Sequence, residues 1–181
     1  MLRGNQGNFC GGLFKAVFEM KALKELENLL LQESRLKYPS IPEHARTVNM
    51  FGKLKPEKRE KKRIEAFLNV SGHYGAIIEN RGQRVDNRET VTDIIGRQKV
   101  IGSVSFIGSG MRKGLADLKA TIFGRSVDIE LKRIYKKGKD RQSDDQKDEQ
   151  IRVERAGGIY LIVSDFEDFY IKYLELIAII K

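Results

Sequence analysis

The chain of 181 residues predicts an α/β domain built on a central mixed β-sheet flanked by helices, with an N-terminal helical extension. Three observations carry this prediction. Segments with apolar residues at helical spacing alternate with short runs of strand length. Two neighbouring runs, LADLKATIF and SVDIELKRI, are joined by a tight Gly-containing turn. A helical segment then separates the second of these from the apolar run IYLIVS.

Residues 1–12 are rich in Gly and Asn and suggest frayed chain. From Leu13 to Leu31, apolar residues recur at Phe14, Val17, Phe18, Leu23, Leu26, Leu29 and Leu30, the spacing of an amphipathic helix. The breaker YPSIP (38–42) opens a linker to about Lys55. Residues 1–50 are thus expected to be a helical extension and linker, capping the main domain or contacting a second subunit, and residues 51–181 the domain itself. Pro56 suits the first turn of a second helix, which continues through EKREKKRIEAFLNV and closes at Gly72. HYGAIIEN (73–80) reads as a strand, 81–99 as a long polar stretch, VIGSVSFI (100–107) as strand-like and GSGMRKG (108–114) as a loop. The predicted strands over 115–123 and 126–134 meet through Gly124-Arg125. A basic loop, YKKGKDRQ, leads to a helix from about Ser143 to Ala156, ended by Gly157-Gly158. The strand IYLIVS (159–164) precedes a last helix over 165–180, with Ser164 and Glu167 as its capping box.

Apolar residues make up 40% of the chain, enough for one domain with a core. The 34 Lys and Arg against 25 Asp and Glu leave a net charge of +9, which favours a polyanionic partner, nucleic acid before an acidic membrane surface. The single cysteine, Cys10, excludes an intramolecular disulfide and a cysteine-based zinc site, and it fits a reducing cytosol. No apolar stretch suits a signal peptide or a membrane span, so a cytoplasmic protein is expected. With His44 and His73 as the only histidines, a two-histidine metal centre and a Ser-His-Asp triad have little support. GSGMRKG is not a phosphate-binding loop, because no Gly directly precedes Lys113 and no Ser or Thr follows it.

The candidate chemistry lies in the hairpin. With Gly124-Arg125 as the turn, Lys119 faces Glu130 and Asp117 faces Lys132, so Asp117, Glu130 and Lys132 share one face. The two carboxylates are then diagonal neighbours, roughly 7–8 Å apart at the backbone. Converging carboxylates need a cation between them, and Mg²⁺, which takes oxygen ligands and keeps several waters, suits them. Lys132 is placed to orient a water or to stabilise a phosphoryl transition state. Asp128, one step nearer the turn on the same face, is expected to be a solvated acid.

GLADLKATIFGRSVDIELK, followed by RQSDDQ and RAGGIYLIVS, resembles the VRR-NUC branch of the PD-(D/E)xK nuclease superfamily. The shared elements are Gly114 with Asp117, Glu130 with Lys132, Ser143 with Gln146, and Gly157, within roughly 56–166. Ala116 stands where many members have Pro. The resemblance implies a restriction-endonuclease-like core and DNA cleavage dependent on Mg²⁺ or Mn²⁺. Selectivity for branched DNA or junctions is also implied, since some relatives resemble Holliday-junction resolvases that act as homodimers. It further implies that Asp117, Glu130 and the Leu131 carbonyl hold the metal, that Lys132 positions the nucleophile and that Gln146 supports the site. A carboxylate from the preceding helix is expected to join them: Glu60 first, with Glu57 and Glu65 as alternatives.

Each candidate also has a plainer role. Ser143-Asp144-Asp145-Gln146 is a capping box in its own right. The run Lys55, Lys58, Arg59, Lys61, Lys62 and Arg63 suits a solvated helix face as well as a phosphate grip. Arg81, Arg84, Arg97, Lys113, Lys136, Lys137, Lys139 and Arg141 are the candidate DNA contacts. The competing expectation is a non-catalytic nucleic-acid-binding module on the same fold, for which the acids are incidental.

Overall fold

A computed structural model describes residues 9–79, 82–108, 110–132 and 141–180, with the backbone alone over 9–20 and at 83. It is a mixed α/β structure. The first helix, α1 (Phe9–Lys37), runs longer than its apolar periodicity indicates: past Leu31 no Gly or Pro stops it before the YPSIP breaker, and at its start it takes in Gly11 and Gly12, expected to lie in frayed chain. In the linker, Arg46 donates to Ser34 Oγ and to the carbonyls of Tyr38 and Ile41, which ties the linker back to the end of α1. Pro56 opens α2 (Pro56–Val70), and Gly72, at φ 79°, turns the chain into β1 (Tyr74–Ile77).

Two short ribbons follow. β2 (Gln83–Asp86) pairs with β5 (Val104–Ile107), and between them β3 (Glu89–Thr92) pairs with β4 (Gln98–Ile101). The stretch read as long and polar, 81–99, thus holds β2, β3 and the start of β4 among its described residues. At its tip the Asp93 carboxylate accepts the Ile95 and Arg97 backbone N–H groups, and this Asx-type turn closes the β3–β4 hairpin.

The main sheet has the order β1-β6-β7-β8, with β6 (Leu118–Ile122), β7 (Arg125–Leu131) and β8 (Ile159–Val163). β1–β6 and β6–β7 are antiparallel and β7–β8 is parallel, so the sheet is mixed. A parallel pair needs a crossover, and α3 (Asp144–Arg155) lies in it. Gly157, at φ 80°, ends α3 with its N–H on the Glu154 carbonyl. The last helix is α4 (Phe166–Ile180). Its start is capped one residue later than expected: Asp165 Oδ1 accepts the Asp168 N–H, while Asp168 Oδ2 accepts the Ser164 N–H.

One face of the sheet is apolar. Leu118, Ile122, Val127, Ile129 and Val163 are buried with Ile64, Phe67 and Leu68 of α2, Phe166 and Phe169 of α4, and Ala22 and Leu26 of α1. Phe67 anchors this layer, meeting the rings of Phe166, Phe169, Tyr170 and Tyr173 edge-on at centroid distances of 5.8, 6.1, 5.5 and 5.0 Å. Each such pair contributes about 0.5–1.5 kcal/mol beyond area burial. α1 thus covers the domain core, the first of its two expected roles. No helix among the described residues is long and apolar enough to cross a membrane.

Candidate active site

The opposite face of the sheet carries the charged side chains. The β6–β7 turn lies at Phe123-Gly124, not Gly124-Arg125, so Ile122 pairs with Arg125 and Lys119 with Asp128. Both turn residues have positive φ, 48° and 77°, the geometry of a tight hairpin that follows strand twist. Phe123 in this strained region packs its ring on His73 at 4.7 Å. The pairing differs from the expected one by two residues. A displacement of two preserves side-chain parity, so Asp117, Glu130 and Lys132 stay on one face and Asp117 falls next to Glu130.

Asp117 stands just before β6, and its carbonyl accepts the Ile78 N–H at 2.8 Å, which fixes its backbone at the end of β1. Its Oδ2 accepts the Leu131 N–H at 3.0 Å and its Oδ1 the Lys61 ammonium at 2.6 Å. Within a strand the N–H and C=O of one residue point the same way, so the Leu131 carbonyl projects toward the Asp117 side. Glu130, on the central strand, is 3% exposed. Its Oε1 accepts Gln146 Nε2 at 2.6 Å and lies 3.0 Å from Lys132 Nζ. Its Oε2 is buried and has no hydrogen-bond partner among the described residues. Burial, and next the negative charge of Asp117, push the Glu130 carboxyl above its ordinary range, against the opposing pull of Lys132 and Gln146. For the Lys61 ammonium, burial acts downward, but the Asp117 and Glu57 carboxylates outweigh it and the net direction is upward.

Gln146 both caps α3 and reaches Glu130. Its Oε1 accepts the Ser143 N–H and its backbone N–H donates to Ser143 Oγ, completing the capping box, while its Nε2 holds Glu130. Gly114, at φ 82°, explains the glycine before Asp117: a Cβ there would collide with the Asp145 carbonyl in the first turn of α3. The 110–117 loop is thereby pressed against the helix that carries Gln146.

Asp128 is not a solvated acid. It is 1% exposed, and its Oδ2 lies 3.0 Å from Lys119 Nζ. A half-buried edge strand would leave it in water, but β7 lies between β6 and β8, and its residues 127–131 are buried on both faces. Tyr160, paired with Asp128 across β8, has its phenol pushed upward by burial and then by the charges of Glu130 and Asp128.

The contacts of Glu60 lie on the other side of α2. Its Oε2 accepts the Phe166 N–H at the start of α4, and its Oε1 pairs with Arg59 and Arg63. Glu60 belongs to the helical stripe of Ile64, Phe67 and Leu68, which faces the core. One residue on, Lys61 reaches Asp117, with Glu57 one turn earlier at 3.1 Å. Glu65 accepts the Ile77 N–H. Lys61 is thus the site contact from α2, and the basic run in which it sits conceals it in the sequence. Of the candidate DNA contacts, Arg84, Arg97, Lys113 and Arg141 are exposed, Arg84 beside Asp86 at 3.3 Å. Arg81, Lys136, Lys137 and Lys139 lie outside the described residues.

The donor set fits a hard divalent cation. The orphaned Glu130 Oε2, the neighbouring Asp117 carboxylate and the Leu131 carbonyl are oxygen donors, and Mg²⁺ completes its shell with water. No cluster of three or more His, Cys, Asp or Glu suited to a metal occurs among the described residues. No protein-family model, curated protein or solved structure matches this chain.

Proposed function

We propose that the protein is a divalent-metal-dependent deoxyribonuclease that hydrolyses phosphodiester bonds, of VRR-NUC type with a restriction-endonuclease-like core, selective for branched DNA or junctions. The observation that carries this reading is the buried Glu130 Oε2, without a hydrogen-bond partner among the described residues, beside the carboxylate of Asp117. A bound Mg²⁺ or Mn²⁺ supplies charge for the phosphate oxygens and lowers the pKa of the attacking water. Asp117 is held in place by the Leu131 N–H, and Glu130 by Gln146. Lys132, 18% exposed at its side chain, offers an N–H donor to water or phosphate on the same face. The excess positive charge of the chain draws DNA toward the site.

The test is cleavage of linear and branched DNA with and without Mg²⁺ or Mn²⁺, comparing the native chain with Asp117→Asn. Metal-dependent cleavage lost in the variant is expected; identical, metal-independent behaviour of both overturns the proposal. One observation favours a non-catalytic nucleic-acid-binding module instead: Lys61 already supplies Asp117 with a cation from within the chain. Such a module lacks a Mn²⁺ site that depends on Glu130, and calorimetric titration of Glu130→Gln separates the two.

A further inference from the structure

A cleft of about 670 Å³ lies between the N-terminal half of α2 and the paired ends of β1 and the loop before β6. Its floor is aliphatic, with Leu54, Ile77 and Leu115 among the lining residues, and Asp117 stands in its wall. Five lysines line it: Lys53, Lys55, Lys58, Lys61 and Lys62. Lys61 is engaged by Asp117 and Glu57, and Lys62 by Glu65. Lys53, Lys55 and Lys58 are exposed and make no ion pair among the described residues. The lysines exceed the lining acids, which are Glu57, Glu79 and Asp117, and two of those acids already share Lys61.

We infer that this cleft is a binding track for a single-stranded nucleic-acid segment, whose phosphates are held by Lys53, Lys55 and Lys58 on the way to Asp117. Charge selects a polyanion, and size selects its form. The volume lies in the range of small-molecule clefts, about 300–1,000 Å³. A duplex, whose major groove alone is about 12 Å wide, does not enter such a space. Among the described residues the lining contains no aromatic ring on which bases stack, so the track grips backbone without reading sequence. The inference rests on the nuclease reading only for the direction in which the strand is led; the binding itself needs no metal.

The experiment is therefore done in EDTA. Fluorescence anisotropy measures binding of the full chain to a labelled oligothymidylate and to a labelled hairpin duplex across a salt series. The variant is Lys53→Gln/Lys55→Gln/Lys58→Gln, all at exposed positions, of which Lys58 alone lies within α2, where Gln suits a helix; an unchanged melting temperature reports its fold. For the single strand, a loss of at least tenfold in affinity is expected. The log–log salt slope falls by about 2, at roughly 0.7 per phosphate contact. Duplex binding changes less than twofold. An unchanged slope on the single strand, or an equal loss on the duplex, overturns the inference. So does displacement of the oligonucleotide by inorganic tripolyphosphate at equal charge concentration, which marks a site for free polyphosphate. If Asp117→Asn abolishes no activity yet the lysine variant loses single-strand binding, the nuclease reading fails and the track stands.

Discussion

Lys61 Nζ lies 2.6 Å from Asp117 Oδ1, a contact that joins α2 to the start of β6 across 56 residues of chain. The ammonium already neutralises that oxygen, so under the proposed metal-dependent reading lysine and metal compete for it. Lys61→Met removes the competitor. Mn²⁺ affinity measured by calorimetry is expected to rise roughly fivefold, the value of a partly exposed ion pair of about 1 kcal/mol. A weaker Mn²⁺ site in the variant contradicts the competition.

Glu130 governs a second outcome. Its folded carboxyl holds its proton more tightly than the unfolded chain does, through burial and then the charge of Asp117. As pH rises past the unfolded carboxyl range, the unfolded state ionises first, and folded stability falls until the raised folded pKa is passed. Glu130→Gln removes that penalty. Without metal, the variant is expected to melt a few degrees higher than the native chain at pH 7.5, about the effect of 1 kcal/mol, with the difference gone near pH 4. Under the proposed metal-dependent reading, Mn²⁺ is expected to raise the melting temperature of the native chain and not that of the variant.

Gly114→Ala tests how the loop and α3 are pressed together. The new Cβ meets the Asp145 carbonyl and the residue sits at φ 82°, so packing and backbone both oppose it. A destabilisation of about 2–4 kcal/mol is expected in urea unfolding. Lys113→Ala next to it, an exposed position, is expected to stay within about 0.5 kcal/mol.

His73 gives a pH dependence distant from the carboxylates. Burial holds its imidazole below the usual histidine range, with Nε2 at 2.9 Å from the Tyr173 hydroxyl and Phe123 against the ring. The unfolded chain takes up a proton first as pH falls below about 6.5, so this part of the stability is present above that pH and is lost through the lowered folded pKa. The melting temperature of the native chain is expected to fall more steeply between pH 7.5 and 5.5 than that of His73→Gln. Equal slopes refute the assignment.

The Lys119–Asp128 pair is asymmetric, at 43% and 1% side-chain exposure. Removing the lysine strands a buried charge, whereas neutralising the acid leaves the lysine free to reach water. Lys119→Met is expected to destabilise by about 2 kcal/mol or more and Asp128→Asn by about 1, measured by urea unfolding.

The shared face of Asp117, Glu130 and Lys132 was legible because alternation along a strand survives any even shift of register. The position of the turn was not, because Phe123 occupies a backbone region that side chains of its kind avoid, and a ring contact with His73, 50 residues earlier, accompanies it. The burial of Asp128 depends on β8 pairing beside it, a partner remote in sequence. Glu60 and Lys61 differ by one residue, and about 100° of helix rotation separates the core from the cleft. That angle follows from how α2 lies on the sheet, which the charge-rich run does not encode. The four ribbon strands are each four residues long and largely exposed, so they leave no buried-face periodicity to read.

Residues 79–115 leave and re-enter the domain at adjacent points, since Ile77 pairs with Leu118 and the Ile78 N–H meets the Asp117 carbonyl. In the sheet, the whole ribbon segment stands where a simple hairpin loop would. Loop closure grows only slowly with length, so such a segment is easily gained, lost or exchanged without disturbing the strands that bracket it. The position makes the ribbons a replaceable cassette: an engineer can substitute a short turn there, or graft a different element, while the charged face of the sheet keeps its own pairings.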